Sequence, residues 1–371
     1  MPALSRRDLA RAAALAALGR LGSESALAQR ALAGFNAPPD TVWLNANENP
    51  DGLCPVALAA VQEALPASFR YHYREWREHS AAIGRSAGVA GDQVLVGSGS
   101  SEILCAAVHA FTAPDRPLIY MQPTFELPVT LAQALGRQTV PVPLASAWAA
   151  DVKRLREEAA KARGGLIYLC NPNNPTSSLT PKAGLDWLIA NLPPNTVVLV
   201  DEAYLDFAHG PQAASALDHV RAGREVVVTR TFSKIYGMAG LRIGFGCAKR
   251  DLIDRMAPYV AGVIAYPSLR AALAALGDTR LLPERRARCQ RVRAGLVGWL
   301  DAQGYQCIEP HANFVMIDVK RNARQVIQAM VERGVAPGRP FPPLDNMLRV
   351  TLGTETEMAK FKKVFLEVVR G

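Results

Sequence analysis

From residue 94 onward the chain repeats a two-part pattern: a short run of apolar, often β-branched positions, then a helix-length segment. The apolar runs fall at 94–96, 118–121, 166–170, 197–200, 225–229 and 243–247. Several are apolar at nearly every position rather than at every second one. Continuous apolar runs mark strands covered on both faces, the condition of a parallel sheet between two helix layers. The segments 102–111, 125–135, 151–162 and 182–192 supply the helices. The pattern predicts an α/β fold with a mostly parallel sheet, and such a sheet binds its ligand at the C-terminal ends of its strands.

The flanks read differently. Residues 41–50 form a short extended arm ending in a turn, and 55–65 a helix with Pro55 near its start and Pro66 just beyond it. After about residue 265, Ala- and Arg-rich helices at 268–276 and 283–302 precede strand-like runs at 314–319 and 348–352. Helices around 322–333 and 355–369 complete a smaller α+β unit. The expected division is an N-terminal arm at 29–50, a large domain at 51–264 and a small domain at 265–371.

Composition narrows the picture. With 371 residues, 49% hydrophobic and 20% charged, the chain has enough apolar material for two domains. No stretch reaches the roughly 18 apolar residues of a membrane span. The net charge is +9, but no basic-aromatic pattern or zinc spacing accompanies it, which argues against nucleic acid as a partner. Arg285, Arg286, Arg288, Arg291 and Arg293 read as a solvated helix face. Six scattered cysteines without a Cys-x-x-Cys form neither a metal motif nor a disulfide scaffold, so no metal site is expected. Ser5-Arg6-Arg7-Asp8-Leu9, an apolar run from Ala12 to Gly19 and Ala26-Leu27-Ala28 resemble a twin-arginine export signal cleaved after residue 28. That reading makes 1–28 a leader outside the fold and the mature protein periplasmic; an amphipathic N-terminal helix is the plainer alternative.

Four clusters at strand ends carry chemistry. Gly97-Ser98-Gly99-Ser100-Ser101-Glu102 joins a strand to a helix, where backbone N–H groups and the helix dipole suit a phosphate, although a tight turn alone can look the same. Asn171-Pro172-Asn173-Asn174-Pro175-Thr176 holds the Asn174 amide on a backbone stiffened by two prolines. Asp201-Glu202-Ala203-Tyr204 puts a carboxylate at the end of a buried strand, where it needs a cationic partner such as a pyridinium nitrogen. Thr231-Phe232-Ser233-Lys234, followed by Gly237, Gly240, Leu241 and Arg242, pairs an enclosed, nucleophilic lysine with a hydroxyl and a guanidinium fit for phosphate.

In this order and spacing, with Leu44-Asn45-Ala46-Asn47-Glu48-Asn49-Pro50 ahead of them, the clusters resemble the fold-type I pyridoxal 5′-phosphate (PLP) enzymes. The closer resemblance is to the histidinol-phosphate aminotransferase branch of the class I/II aminotransferases, over about residues 40–370. It implies transamination between a small amino donor and a 2-oxo acid, with 2-oxoglutarate expected as acceptor. Decarboxylases, lyases and racemases share the scaffold and remain the alternative. The resemblance implies that Lys234 holds PLP covalently and moves the substrate proton. Asp201 would pair with the pyridinium, and Asn174 and Tyr204 would bond the phenolic oxygen. Ser100, Ser101, Ser233 and Arg242 would cradle the phosphate with Thr231 nearby, and Phe125 would stack on the ring. Arg349 would clamp the substrate carboxylate or phosphate, Asn47 would join it on the substrate side, and Tyr71 would reach the cofactor phosphate of the second subunit in a homodimer.

Two features depart from that branch. The branch carries a second arginine in a Gly-Ile-x-x-Arg segment, whereas Gly334-Val335-Ala336-Pro337-Gly338-Arg339 displaces it by one position. Arg339 then either meets an anionic side chain or braces the fold. An exported enzyme would also serve histidine biosynthesis poorly, which points to another amino acid, aromatic or anionic.

Overall fold

The computed structural model describes residues 37–371, so the twin-arginine leader lies outside the described residues. Seven strands form the central sheet: β2 (Val94–Gly97), β3 (Leu118–Gln122), β4 (Thr139–Pro143), β5 (Gly165–Cys170), β6 (Thr196–Asp201), β7 (Val226–Thr231) and β8 (Gly244–Ala248). Their spatial order is β2-β8-β7-β6-β5-β3-β4. The block from β7 to β4 is parallel, and β8 runs antiparallel to both of its neighbours. Because β8 reverses direction twice over, β2 runs the same way as β7. The C-terminal ends of β2, β5, β6 and β7 therefore share one edge, where all four clusters begin.

The apolar runs owe their continuity to two buried faces. Ile167, Leu169, Val198, Val200, Val226 and Val228 enter one core, while Leu166, Tyr168, Val197, Leu199 and Val227 enter the other. Burying each such side chain contributes roughly 1.5–3 kcal/mol, so every position is selected for hydrophobicity. The strand expected at 225–229 sits at Val226–Thr231, which carries Thr231 on the last residue of β7.

The helices packed on the sheet include α3 (Ser100–Phe111), α4 (Leu127–Ala134), α5 (Val152–Lys161) and α6 (Lys182–Ala190), with α1 (Pro55–Ala64), α2 (Trp76–Ala87), α7 (Leu217–Arg221) and α8 (Arg250–Met256) completing this part of the chain. Helix α4 starts two residues later than the sequence pattern suggests, so Phe125 and Glu126 lie in the turn before it.

The C-terminal part contains α9 (Tyr266–Gly277), α10 (Leu281–Ala302), β9 (Phe314–Asp318), α11 (Ala323–Val331), β10 (Val335–Ala336), β11 (Met347–Thr351) and α12 (Glu355–Arg370). β9 and β11 pair antiparallel, and the arm strand β1 (Val42–Trp43) pairs parallel with β10. The arm is stitched further by Leu44 N–H to the Ala336 carbonyl at 2.8 Å and by Thr351 N–H to the Leu44 carbonyl at 2.9 Å. Thr354 caps α12 with a capping box to Glu357, which satisfies two backbone donors reciprocally.

Two of the five arginines expected on a solvated face of α10 are not on one, whereas Arg291 is exposed. Arg285 and Arg293 are buried, Arg285 donating to the carbonyls of Ile235 at 2.8 Å and Gly52 at 2.6 Å, and Arg293 to that of Ala312 at 2.9 Å. Backbone carbonyls at loop ends need donors when they are buried, and a long guanidinium supplies several at once. Helix α10 thereby braces the loop that follows Lys234.

Candidate active site

A solvent-open cleft of about 740 Å³ lies at the shared strand edge. Its wall includes Ser100, Ser101, Phe125, Asn174, Asp201, Tyr204, Thr231, Ser233, Lys234 and Arg242, ten of the residues singled out in the sequence. They come from five separate stretches, brought together because each follows or ends a strand of the same sheet.

Asp201 is the last residue of β6 and pairs in register with Cys170 at the end of β5. Its buried carboxylate accepts from Ala203 N–H at 3.2 Å, the Thr229 hydroxyl at 3.2 Å and the Tyr168 hydroxyl at 3.4 Å. Burial pushes its pKa up to about 6 despite these donors, and neighbouring Glu202 adds to the rise. A cationic ring nitrogen at Asp201 would reverse the shift, because it favours the ionised carboxylate.

Lys234 Nζ donates to the Ala46 carbonyl at 3.1 Å and lies 5.6 Å from the centre of the Tyr204 ring. The arm thus contributes a carbonyl acceptor to the amine on the cleft wall. Asn47 does not line the cleft. It is fully buried behind Tyr204, donating through Nδ2 to the Tyr204 hydroxyl at 3.1 Å while Thr351 donates to its Oδ1 at 3.1 Å. Its side chain thus supports the tyrosine rather than lining the cleft, because the arm turns inward at that residue, with φ at +53°.

The anion end is built around Gly99 and Arg242. Arg242 Nη1 donates to Ser233 Oγ at 3.1 Å and to the Ala239 carbonyl at 2.8 Å. Gly99, with φ at +79°, lets that guanidinium close on the start of α3, since a Cβ there would overlap Arg242 Nη2. The Ser98 and Gly99 N–H groups are engaged within the structure, by Glu102 Oε2 at 2.6 Å and the Gly97 carbonyl at 2.8 Å. That leaves Ser100 and Ser101, which open α3 with the helix dipole behind them, as the loop's groups suited to a phosphate.

Arg349, at the centre of β11, is fully buried. Its Nη1 donates to Asn174 Oδ1 at 2.7 Å and its Nη2 to the Asn45 carbonyl at 2.6 Å. Both acceptors are neutral, so they orient the guanidinium without supplying a counter-charge themselves. The bond to Oδ1 also fixes the Asn174 amide, turning its NH2 end away from Arg349. Arg339 lies in the loop between β10 and β11, is buried, and donates to Glu126 Oε2 at 2.5 Å. Tyr71 is 65% exposed and stacks on Tyr73, outside the cleft.

Sequence reasoning missed Tyr168, Thr229, Glu126 and the Ala46 carbonyl. Only Tyr168 carried a signal: a hydroxyl in an otherwise apolar buried strand must find a polar partner.

The donor set defines a class: an enzyme that holds a phosphorylated, cationic aromatic ring between a carboxylate and an anion cradle, with a lysine amine beside it. The chain belongs to the aminotransferases of class I and II, whose family profile matches residues 39–365. It is a PLP-dependent aminotransferase. A histidinol-phosphate aminotransferase of Moorella thermoacetica is 33% identical over 337 residues, covering 89% of this chain and 86% of the relative. Histidinol-phosphate aminotransferase 1 of Nitrosococcus oceani is 36% identical over 334 residues, 88% of each chain. The crystal structure of histidinol-phosphate aminotransferase from Sinorhizobium meliloti in complex with pyridoxal-5′-phosphate shares the fold, with a TM-score of 0.83 at 24% identity over 95% of this chain and 96% of that one.

The residues fit that cofactor: Asp201 for the ring nitrogen, Arg242, Ser233, Ser100 and Ser101 for the phosphate, and Lys234 for the aldehyde carbon. When bound, the ring supplies an electron sink for the charge left at the substrate Cα.

Proposed function

We propose that this aminotransferase takes its amino group from a small amino acid, or from an amino-alcohol phosphate such as histidinol phosphate, and passes it to 2-oxoglutarate. The observation that carries the reading is the fully buried Arg349 bonded to Asn174 on the cleft wall. A planar guanidinium fixed by two carbonyls is preorganised for a carboxylate or phosphate, which binds it bidentately. Lys234, held by the Ala46 carbonyl, is the group that removes the Cα proton and returns it to the cofactor side. Tyr204, steadied by Asn47, and the Asn174 amide hold the ring oxygen, and Phe125 covers the ring face.

A homodimer belongs to the same reading. Phe69, Tyr71 and Tyr73 expose 79%, 65% and 64% of their surface, a patch that a second copy would cover, with Tyr71 directed to the partner's phosphate site. The division at residue 265 is supported by the pairing of β9 with β11 and of β1 with β10 outside the seven-stranded sheet. The twin-arginine leader is read as an export signal, which makes the mature enzyme periplasmic. A donor screen of the purified holoenzyme with 2-oxoglutarate tests the reading: it predicts glutamate formation with histidinol phosphate or with a narrow set of amino acids. Absence of glutamate with every donor would overturn it.

A further inference from the structure

The pair Glu126–Arg339 joins two parts of the chain separated by 213 positions, and neither residue is used in holding the cofactor. Glu126 directly follows Phe125, which lines the cleft, and stands at the N-cap of α4, while Arg339 follows Gly338 in the loop between β10 and β11. Gly338 packs directly on Arg349: its N–H bonds the Arg349 carbonyl at 2.7 Å, and a Cβ there would sit 3.0 Å from Arg349 Nε. Arg339 and Arg349 also share one aromatic platform, their Cζ atoms lying 4.1 and 4.6 Å from the centre of the Phe341 ring. The two guanidiniums are therefore no farther apart than the sum of those distances, well within the span of a small substrate with two anionic ends.

The partners of the ion pair are unequal. The Arg339 side chain is 10% exposed and lies over Phe341, whereas the Glu126 side chain is 42% exposed. A buried guanidinium needs a counter-charge, and a half-exposed carboxylate can leave for water at small cost. The mobile half of the pair is thus the glutamate. When a substrate carries no distal charge, Glu126 keeps Arg339 neutralised. When it carries one, the substrate anion and Glu126 compete for the same guanidinium.

Resting on the proposed transamination and deepening it, we propose that Glu126 is a specificity-determining residue. By occupying Arg339, it sets how strongly the site prefers donors with a distal carboxylate or phosphate over neutral ones. The pair lets one site accept both kinds.

The test uses the PLP-loaded enzyme, its Glu126→Gln and Arg339→Gln variants and the double variant. Binding of glutarate, which has no amino group and is not turned over, is measured by calorimetry. Steady-state rates with 2-oxoglutarate as acceptor are compared for aspartate against asparagine and for O-phosphoserine against serine. Glu126→Gln is expected to tighten glutarate about tenfold, or about 1.4 kcal/mol, and to raise the anionic-to-neutral ratio of kcat/KM by a similar factor. The two donor pairs show whether the favoured anion is carboxylate or phosphate. In the Arg339→Gln background the same change is expected to have no effect. Unchanged or weaker glutarate binding in folded Glu126→Gln, or an equal effect in both backgrounds, makes the pair a structural brace and overturns the proposal. Glutarate binding is read without turnover, so a failure of the transamination reading would appear separately, as absence of product from every donor.

Discussion

Arg349 Nη1 donates to Asn174 Oδ1 at 2.7 Å, a bond that links the centre of β11 to the loop after β5. In the proposed reading it couples two tasks, because the amide assigned to the cofactor also orients the guanidinium assigned to the substrate. Asn174→Ala removes the acceptor and the amide together. Hydrogen bonds to charged groups are worth about 1.5–3 kcal/mol, so KM for the amino donor should rise roughly tenfold or more. The cofactor absorbance should shift in the same variant, whereas Arg349→Lys, which keeps a cationic donor near Asn174 Oδ1, should raise KM with a smaller spectral shift. Steady-state kinetics alongside absorbance spectra check both.

Lys234→Ala removes the only lysine on the cleft wall among the described residues. Proton transfer by a positioned side chain contributes roughly 10²–10⁴-fold, so turnover should fall at least about a hundredfold. Covalent retention of the cofactor should be lost as well, which gel filtration followed by absorbance measures.

Asp201 gives a prediction in pH. Its pKa in the cofactor-free protein is about 6, against an ordinary carboxylate value of 3.8. The folded state therefore holds this proton more tightly than the unfolded state. The contribution is intact below pH 4 and is lost as pH rises through about 6, at a cost of roughly 3 kcal/mol. Asp201→Asn should accordingly stabilise the cofactor-free protein relative to wild type at pH 7.5 but not at pH 4, while abolishing activity. Thermal denaturation at the two pH values measures the difference.

Much of this was legible in the chain because burial on both sheet faces leaves a strong signature. Val198 and Val200 enter one core and Val197 and Leu199 the other, so β6 reads as an unbroken apolar run that ends at a lone acid. Strand β4 was not legible, since Pro141 and Pro143 argue against a strand. It lies at the sheet's edge, where missing N–H groups cost little. Asn174, Asp201 and Lys234 stood out because each ends such a run or lies within a few residues of its end. The inward turn of Asn47 was not legible, because it depends on Thr351 and Tyr204, both remote in sequence. Glu126 and Arg339 meet only through the tertiary fold, and Arg285 and Arg293 are buried by loop carbonyls that no helical periodicity announces.

Gly99→Ala probes the anion cradle. The new Cβ would overlap Arg242 Nη2 at a backbone angle that only glycine adopts easily, so the guanidinium must withdraw. Affinity for PLP should weaken roughly tenfold, about 1.4 kcal/mol, as titration by fluorescence would report.

The most direct test of the account is a single-turnover exchange on the holoenzyme. Amino donor is added without acceptor while absorbance and products are followed, and then 2-oxoglutarate is added. Transamination predicts that one equivalent of oxo acid forms per active site, that the cofactor spectrum converts, and that 2-oxoglutarate restores it with one equivalent of glutamate. Release of CO2, or racemised donor without any oxo acid, would contradict it.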